Sequence, residues 1–81
     1  MFSADRIREM VEAALPDCTA LVFDDMNDGE HFRAEIVSSA FEGTSLVAQH
    51  RMVNKALGHH MGTDIHALTF KTYTPERWPH S

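Results

Sequence analysis

The chain has 81 residues, of which 43% are hydrophobic and 23% are charged, a length that supports one modest core and excludes a second one. Twelve acidic residues against seven basic ones give a net charge of −5 at pH 7, which repels a phosphate backbone over most of the surface. The single cysteine, Cys18, excludes an internal disulfide and any metal site made only of this chain's thiolates. We therefore expect one domain over residues 1–81.

The N-terminal segment "MFSADRIREM" mixes acids and bases within an amphipathic pattern, which is not typical of a signal peptide. No apolar run approaches the length that spans a bilayer. These two features predict a cytoplasmic protein that makes no membrane contact.

The first predicted element is an amphipathic helix that ends before Pro16. Ser3 is its expected N-cap, and Phe2 and Ile7 fall at the two positions of a hydrophobic staple. Apolar residues recur at helical spacing: Ile7, Met10, Val11, Ala14 and Leu15. The segments "TALVFD" and "HFRAEIV" then alternate as strands and are joined by the turn residues "DMNDG", which predicts an antiparallel hairpin. The acids Asp24 and Asp25 are expected to cap this turn or to be solvated there.

A second helix is predicted from Ser45 to Leu57, because Leu46, Val53 and Leu57 share one helical face and Gly58 offers a C-terminal stop. The strand "IHALTFKTY" follows, and "TPERW" begins a short terminal helix. The resulting order is α-β-β-α-β-α. It predicts an α+β fold, an α/β sandwich in which helices flank a three-stranded mixed sheet.

Two histidines open predicted strands, His31 the second and His66 the third. A strand, a helix and a strand joined by short loops normally place the two strands parallel in one sheet, so both histidines are expected at the same end of the sheet. If the strands are neighbours, the imidazoles approach each other there. Alternation places His66 on the face of Leu68 and Phe70, while the face of His31 depends on a register that the sequence leaves open. His59, His60 and His80 fall in loop or tail positions and are expected to be solvated.

Two other interpretations come from the second helix and from the C-terminus. Gln49, Arg51, Asn54 and Lys55 are side chains that reach phosphates or base edges, and they follow a glycine-containing turn. With so few basic contacts in a chain of charge −5, DNA binding is expected to be weak and steeply salt-dependent. The remaining interpretation is a metal-free protein-interaction module, in which Trp78 either anchors a partner or covers the domain's own core.

The sequence resembles the BolA family, and its short hairpin loop is most similar to that of the IbaG-like members. The resemblance runs from about Leu15 to Trp78 and rests on five motifs. These are "HF" at the second strand, "F-E-G-x-S" before the second helix, "H-R-x-V" within it, "I-H-A-L" at the last strand and "T-P-E-x-W" near the end. The family's fold is similar to the class II KH domain, in agreement with the order of elements given above.

The resemblance implies a partner and a cofactor. Proteins of this family bind monothiol glutaredoxins and share a 2Fe-2S cluster with them, and the histidine of "I-H-A-L", here His66, is a ligand. The second ligand comes from the hairpin loop as a histidine or a cysteine, and here His31 has the required chemistry. The glutaredoxin's cysteine and a glutathione would complete the site, so the isolated chain is expected to hold no cofactor.

On this interpretation the protein is an adaptor and not an enzyme. It would act in iron-sulfur cluster trafficking or assembly, or in iron and redox-stress regulation. The partner is expected to contact His66, Ala67, Arg51 and Trp78, and homodimer formation is left open. Some family members are described as transcriptional regulators, which keeps DNA binding by the second helix as the alternative.

Overall fold

A computed structural model describes residues 2–80 of the chain. It contains two α-helices and three strands in this order: α1 (Ala4–Ala14), β1 (Thr19–Phe23), β2 (His31–Val37), α2 (Leu46–Leu57) and β3 (Ala67–Tyr73). Single turns of 3-10 helix lie at Ser39–Phe41, Gly58–His60 and Pro75–Arg77, so the terminal helix is only one turn long. The α+β order is confirmed. None of the described helices is long and apolar enough to cross a bilayer.

The three strands form one mixed sheet in the order β1-β2-β3. β1 pairs with β2 in the antiparallel direction, as the hairpin pattern predicts, and β2 pairs with β3 in the parallel direction. The β2 side chains that point to one face of the sheet are buried, namely Phe32, Ala34 and Ile36. This face packs in one cluster with Ile7 and Val11 of α1 and with Val53 and Leu57 of α2. Both helices therefore cover the same face of the sheet.

The beginning of α1 has the predicted cap and staple. The Ser3 Oγ accepts a hydrogen bond from the Arg6 backbone N–H at 3.1 Å, and the Phe2 and Ile7 side chains are both buried. Two of the predicted apolar positions are wrong. Ala14 is exposed, and Leu46 is 63% exposed because the core reaches only the later turns of α2.

Ser38 joins three parts of the fold at the end of β2. Its side chain is fully buried, and its Oγ donates to the Pro16 carbonyl at 2.6 Å and accepts the Ala40 N–H at 3.1 Å. The Ser38 backbone N–H donates to the Tyr73 carbonyl at 3.3 Å. One buried hydroxyl thus connects the segment after α1 with the turn that leads to α2, while its backbone reaches the end of β3.

Cys18 lies just before β1, at the end of the sheet where Thr19 pairs with Val37, and packs against the core. Burial raises the pKa of its thiol to about 11, and the negative charge of Glu12 adds to this effect. The Glu12 carboxylate is itself held in place, because it accepts the Ala20 backbone N–H at 3.0 Å. Cys18 is therefore a protonated thiol at neutral pH.

We expect Ser38→Ala to lower the free energy of unfolding by about 1–3 kcal/mol, because the Pro16 carbonyl and the Ala40 N–H would lose a buried partner. Urea unfolding followed by circular dichroism would measure this change. The matched control is Ser39→Ala, which removes a bond to the exposed Asp17 carboxylate and should cost only about 0.5 kcal/mol. Equal losses in the two variants would contradict the role given to Ser38.

We expect Cys18 to be alkylated by iodoacetamide about 100-fold more slowly in the folded protein than in the urea-unfolded chain near pH 8, because a raised pKa leaves little thiolate. Mass spectrometry of timed samples would give both rates. The folded rate should rise steeply up to about pH 11. A folded rate that equals the unfolded one would show that the thiol is neither buried nor held in its protonated form.

Candidate metal centre

Strands β2 and β3 start at the same end of the sheet and are paired from their first residues. His31 begins β2, Ala67 begins β3, and these two residues are register partners. The Ala67 backbone N–H also donates to the Glu30 carbonyl at 3.0 Å, just before β2. The residue before Ala67, His66, is therefore brought to the hairpin loop that leads into His31.

His66 precedes the strand in which the sequence pattern places it. β3 begins at Ala67, and His66 lies in a bend with an exposed side chain, so its predicted place on the face of Leu68 and Phe70 is wrong. The physical reason is the turn before it. The Gly62 N–H donates to the Ile65 carbonyl at 3.0 Å, and Ile65 fills the buried core position. The chain bends after Ile65 and leaves the His66 imidazole outside the core.

The two imidazoles lie beside each other at this end of the sheet. Their ring centroids are 6.3 Å apart with an angle of 57° between the ring planes. Both residues are exposed, and they come from separate elements that the parallel β2–β3 pairing brings together. The predicted approach of His31 to His66 is present in the structure.

His31 is held by a carboxylate. Its Nδ1 lies 2.8 Å from Asp28 Oδ2, and the other oxygen of Asp28 accepts the backbone N–H groups of Glu30 at 2.9 Å and His31 at 3.1 Å. These bonds, that of the Glu30 N–H first and that of the His31 ring next, lower the pKa of Asp28 to about 2. In turn, the hydrogen bond that the His31 ring donates to Asp28 raises the pKa of His31, and the negative charges of Asp28, Glu30 and Asp24 raise it further. The two side chains form an ion pair when His31 is protonated.

The loop between β1 and β2 is organised by its own acidic side chains. The Asp24 carboxylate accepts the backbone N–H groups of Asp28 at 3.2 Å and Gly29 at 2.9 Å. Gly29 has a φ of +68°, a conformation in which only glycine avoids a steric penalty. Asp25 pairs with Arg33 through two hydrogen bonds, of 2.9 and 3.3 Å. Asp24 thus caps the turn as predicted, and its carboxylate also holds the backbone of Asp28 in place.

The donor set at this site suits a half-site based on histidine. Besides the two imidazoles, Asp28 and Glu30 offer carboxylate oxygens, and one ligand atom from each of Asp28, Glu30 and His31 lies within 4.8 Å of the others, a group that does not include His66. The only thiol, Cys18, lies at the opposite end of β2 and is protonated. Two imidazoles can replace two thiolates on one iron of a 2Fe-2S cluster, and a histidine ligand commonly donates its other ring N–H to a carboxylate. His66 and His31 therefore fit the group that the sequence resemblance implies.

The other histidines make different contacts. The His50 ring packs 4.6 Å from the Phe70 ring. His60 was expected to be solvated, but its side chain is only 19% exposed, and its Nδ1 lies 2.6 Å from Asp64 Oδ2. The His80 Nε2 lies 2.9 Å from Glu35 Oε1. The exposed His59 ring lies 4.3 Å from the His60 ring, so a second histidine pair lies in the turn Gly58–His60, apart from the pair of His31 and His66.

The residues predicted to contact a partner lie in two separate places. Ala67 adjoins the histidine pair, and Arg51 is exposed on α2. Trp78 follows the far end of β3, about 20 Å away along a seven-residue strand, and packs edge-on against the Tyr73 ring at 5.4 Å. The structure does not bring Trp78 to the histidine pair.

The residues predicted to contact DNA also divide into two groups. The Gln49 side-chain amide donates to the carbonyls of Phe41 and Thr44 at 3.3 and 3.1 Å, and its oxygen accepts the Thr72 hydroxyl at 2.5 Å. Gln49 therefore serves to hold α2 against β3 and the preceding turn. The other three residues are exposed on one side of α2: Arg51, Asn54 and Lys55.

Asp28 is the residue of the site that sequence reasoning missed. The motif "DGEH" places an aspartate three residues before a histidine, but its "D-G" pair was interpreted only as turn chemistry. The available signal is that an aspartate in a turn commonly bonds backbone N–H groups ahead of it, which leaves its second oxygen free for a neighbouring ring.

Comparison with known proteins agrees with this fold. The family profile described as BolA-like protein matches residues 9–77. The DNA-binding transcriptional regulator BolA of Vibrio cholerae is 44% identical over 48 residues, which cover 59% of this chain and 45% of that protein. Protein BOLA2 of Arabidopsis thaliana is 40% identical over 77 residues, which cover 88% of this chain and 82% of that protein. For several relatives that match over 48 residues, this chain covers only 35% to 45% of their length.

Solved structures show the same relation. A bolA protein homologue from Coxiella burnetii superposes with a TM-score of 0.79 at 39% identity, over 94% of this chain and 95% of that one. The match of sequence motifs, of element order and of three-dimensional structure thus extends over most of the chain. The chain therefore belongs to the BolA-like protein family.

Proposed function

We propose that this protein is a non-catalytic adaptor that holds a 2Fe-2S cluster jointly with a monothiol glutaredoxin, through His66 and His31. The observation that carries the proposal is the pair of exposed imidazoles, 6.3 Å apart, at the shared starting end of two parallel strands. Two imidazoles on one surface with no thiolate beside them supply half of a four-ligand site. A partner has to supply the other half.

The chemistry of the missing half follows from the ligands that this chain lacks. A bound 2Fe-2S cluster takes four ligands in total from protein side chains or small thiols. Replacing two of the thiolates by imidazoles shifts the reduction potential of the cluster upward. Two thiolates would then complete the site, and the resemblance to the BolA family implies that they are the cysteine of a monothiol glutaredoxin and a glutathione. The role of this chain is to present two neutral imidazoles and to leave the surface around them open.

The surroundings of the histidine pair support docking of a folded partner. Ala67, the residue after His66, is exposed and carries only a methyl group, so it does not obstruct an approaching surface. Arg51 offers an exposed positive charge on α2. A contact with Trp78 requires a partner that extends along the whole length of β3.

The proposal assigns the protein to iron-sulfur cluster trafficking or assembly, or to iron and redox-stress regulation, in the cytoplasm. It also retains the assignment to the IbaG-like members, because the loop before His31 is short. The proposal assigns no reaction to the chain, because it gives both histidines of the pair to the cluster and the one thiol is protonated.

We expect His66→Ala to abolish formation of the mixed complex with a cluster-loaded monothiol glutaredoxin and glutathione. His31→Ala should only weaken the complex or change its spectrum, because the neighbouring carboxylates of Asp28 and Glu30 can still offer an oxygen ligand in place of the His31 ring. Visible absorption and circular dichroism would follow the titration, and size-exclusion chromatography would report the complex. His80→Ala is the matched control, because His80 is also exposed but contacts Glu35 on β2 instead of His31.

Three outcomes decide the proposal. A new cluster spectrum with the native chain and with His80→Ala, but not with His66→Ala, supports it. A spectrum that the native chain never changes, with no complex on size exclusion, refutes it. An unaltered response of His66→Ala assigns the ligand to another residue.

DNA binding by α2 is the second candidate function. It is favoured by the exposed row of Arg51, Asn54 and Lys55 and by the name of the Vibrio cholerae relative. Because the Gln49 amide is used within the fold, only these three side chains are available on the helix. The net charge of −5 opposes this function.

If α2 binds DNA, we expect the affinity to fall about tenfold between 50 and 200 mM salt, because two basic contacts release about two counterions. Fluorescence anisotropy with a labelled duplex would measure it. The double variant Arg51→Gln, Lys55→Gln should remove both the binding and its salt dependence. Arg77→Gln is the control, because Arg77 lies outside α2, and this variant should bind as the native chain does. Failure to bind at the lowest salt, or equal binding by the double variant, would eliminate this function.

A further inference from the structure

We propose that Asp28 is the positioning residue of the metal site and fixes the His31 imidazole in the tautomer that carries its hydrogen on Nδ1, so that Nε2 is the ligand atom. This inference rests on the proposed function, because it concerns how His31 meets a metal. It goes beyond that function in assigning a role to Asp28, a residue that the proposed function does not use.

The hydrogen bond between the two side chains determines where the ring hydrogen lies. His31 Nδ1 and Asp28 Oδ2 are 2.8 Å apart. An ionised carboxylate only accepts hydrogen bonds, so the hydrogen must be on Nδ1. In the neutral ring the lone pair is then on Nε2, which is the form that binds a metal through that atom.

Asp28 is held in place independently of the ring. Its Oδ1 accepts the backbone N–H groups of Glu30 and His31, and only Oδ2 is used for the imidazole. Its own backbone N–H donates to Asp24. The carboxylate is thus oriented by the loop backbone before any metal arrives, and it transmits that orientation to the ring.

The other histidine of the pair, His66, is not held by a hydrogen bond of this kind within residues 2–80. Among the described residues, the His66 ring takes part in the contact with His31 but in no hydrogen bond. The site therefore combines one imidazole whose orientation is set in advance with another that is free to turn. We infer that His31 provides the fixed reference and that His66 adjusts to it when a metal is bound.

The variant Asp28→Asn tests the effect of Asp28 on the His31 ring while keeping the hydrogen bonds that shape the loop. The asparagine oxygen can still accept the two backbone N–H groups, which require an acceptor at that position. The side-chain NH2 group then faces Nδ1 and donates to it, so the ring hydrogen moves to Nε2. The same change at the aspartate of a catalytic triad keeps the geometry and imposes the wrong tautomer. Asp28→Ser is the second variant, since its hydroxyl can accept from the loop but is too short to hold the ring.

The first measurement is long-range nitrogen-15 NMR of the histidine rings in the metal-free chain, at a pH at which His31 is neutral. We expect the Nδ1–H form in the native chain, the Nε2–H form in Asp28→Asn and a mixture in Asp28→Ser. The matched control is Asp25→Asn, because Asp25 is another loop carboxylate but bonds Arg33, and it should leave the tautomer unchanged. The same His31 tautomer in the native chain and in both Asp28 variants would overturn the inference.

The second measurement is the affinity for the cluster-loaded glutaredoxin. We expect Asp28→Asn to weaken the complex about 10- to 100-fold, the usual effect of losing a residue that orients a metal ligand. A changed tautomer together with unchanged affinity would overturn the positioning role. Failure of the proposed function can be distinguished from failure of this inference. The first would be seen in the titrations of the native chain and of His66→Ala with the glutaredoxin, whereas the tautomer is measured on the chain alone, without metal or partner.

Discussion

The parallel pairing of β2 with β3 is the constraint on which the rest of the structure depends. It sets His31 opposite Ala67 and so delivers His66 to the hairpin loop from a distant part of the chain. Parallel strands need a crossover connection, and α2 provides it. The helix is tied to β3 by the hydrogen bond between Gln49 and Thr72 and by the packing of the His50 ring against the Phe70 ring. Residues that do not touch the site therefore determine its geometry.

The acidic character of the chain has a structural use at this end of the sheet. Asp24 and Asp28 bind backbone N–H groups of a tight loop, and Asp25 binds Arg33 across the hairpin. A loop that satisfies its backbone donors with its own carboxylates needs little support from the core. The position of His31 is thus defined locally, whereas that of His66 depends on the long-range pairing of β3.

The contact between Asp28 and His31 contains a compromise. The carboxylate orients the ring, but the hydrogen bond that it accepts, together with its charge, raises the pKa of His31. This favours the protonated ring, which cannot bind a metal through Nε2. Metal binding at such a site is coupled to the release of a proton. Cys18 is protonated and lies at the other end of β2, so under the proposed function this chain would contribute nitrogen ligands and a partner would contribute sulfur.

The local patterns of the sequence determined the elements, since helical spacing, strand alternation, the Ser3 cap and the turn residues act over only a few positions. The motifs "HF" and "I-H-A-L" identified both histidines through the family resemblance. Only the tertiary structure decided that β3 begins after His66, that Leu46 remains exposed and that Trp78 lies far from the pair. It also showed that Gln49 is used inside the fold and that Asp28 holds His31. The physical reason is that a bend, a register and the direction of a side chain depend on contacts between segments distant in the sequence, which no local periodicity records.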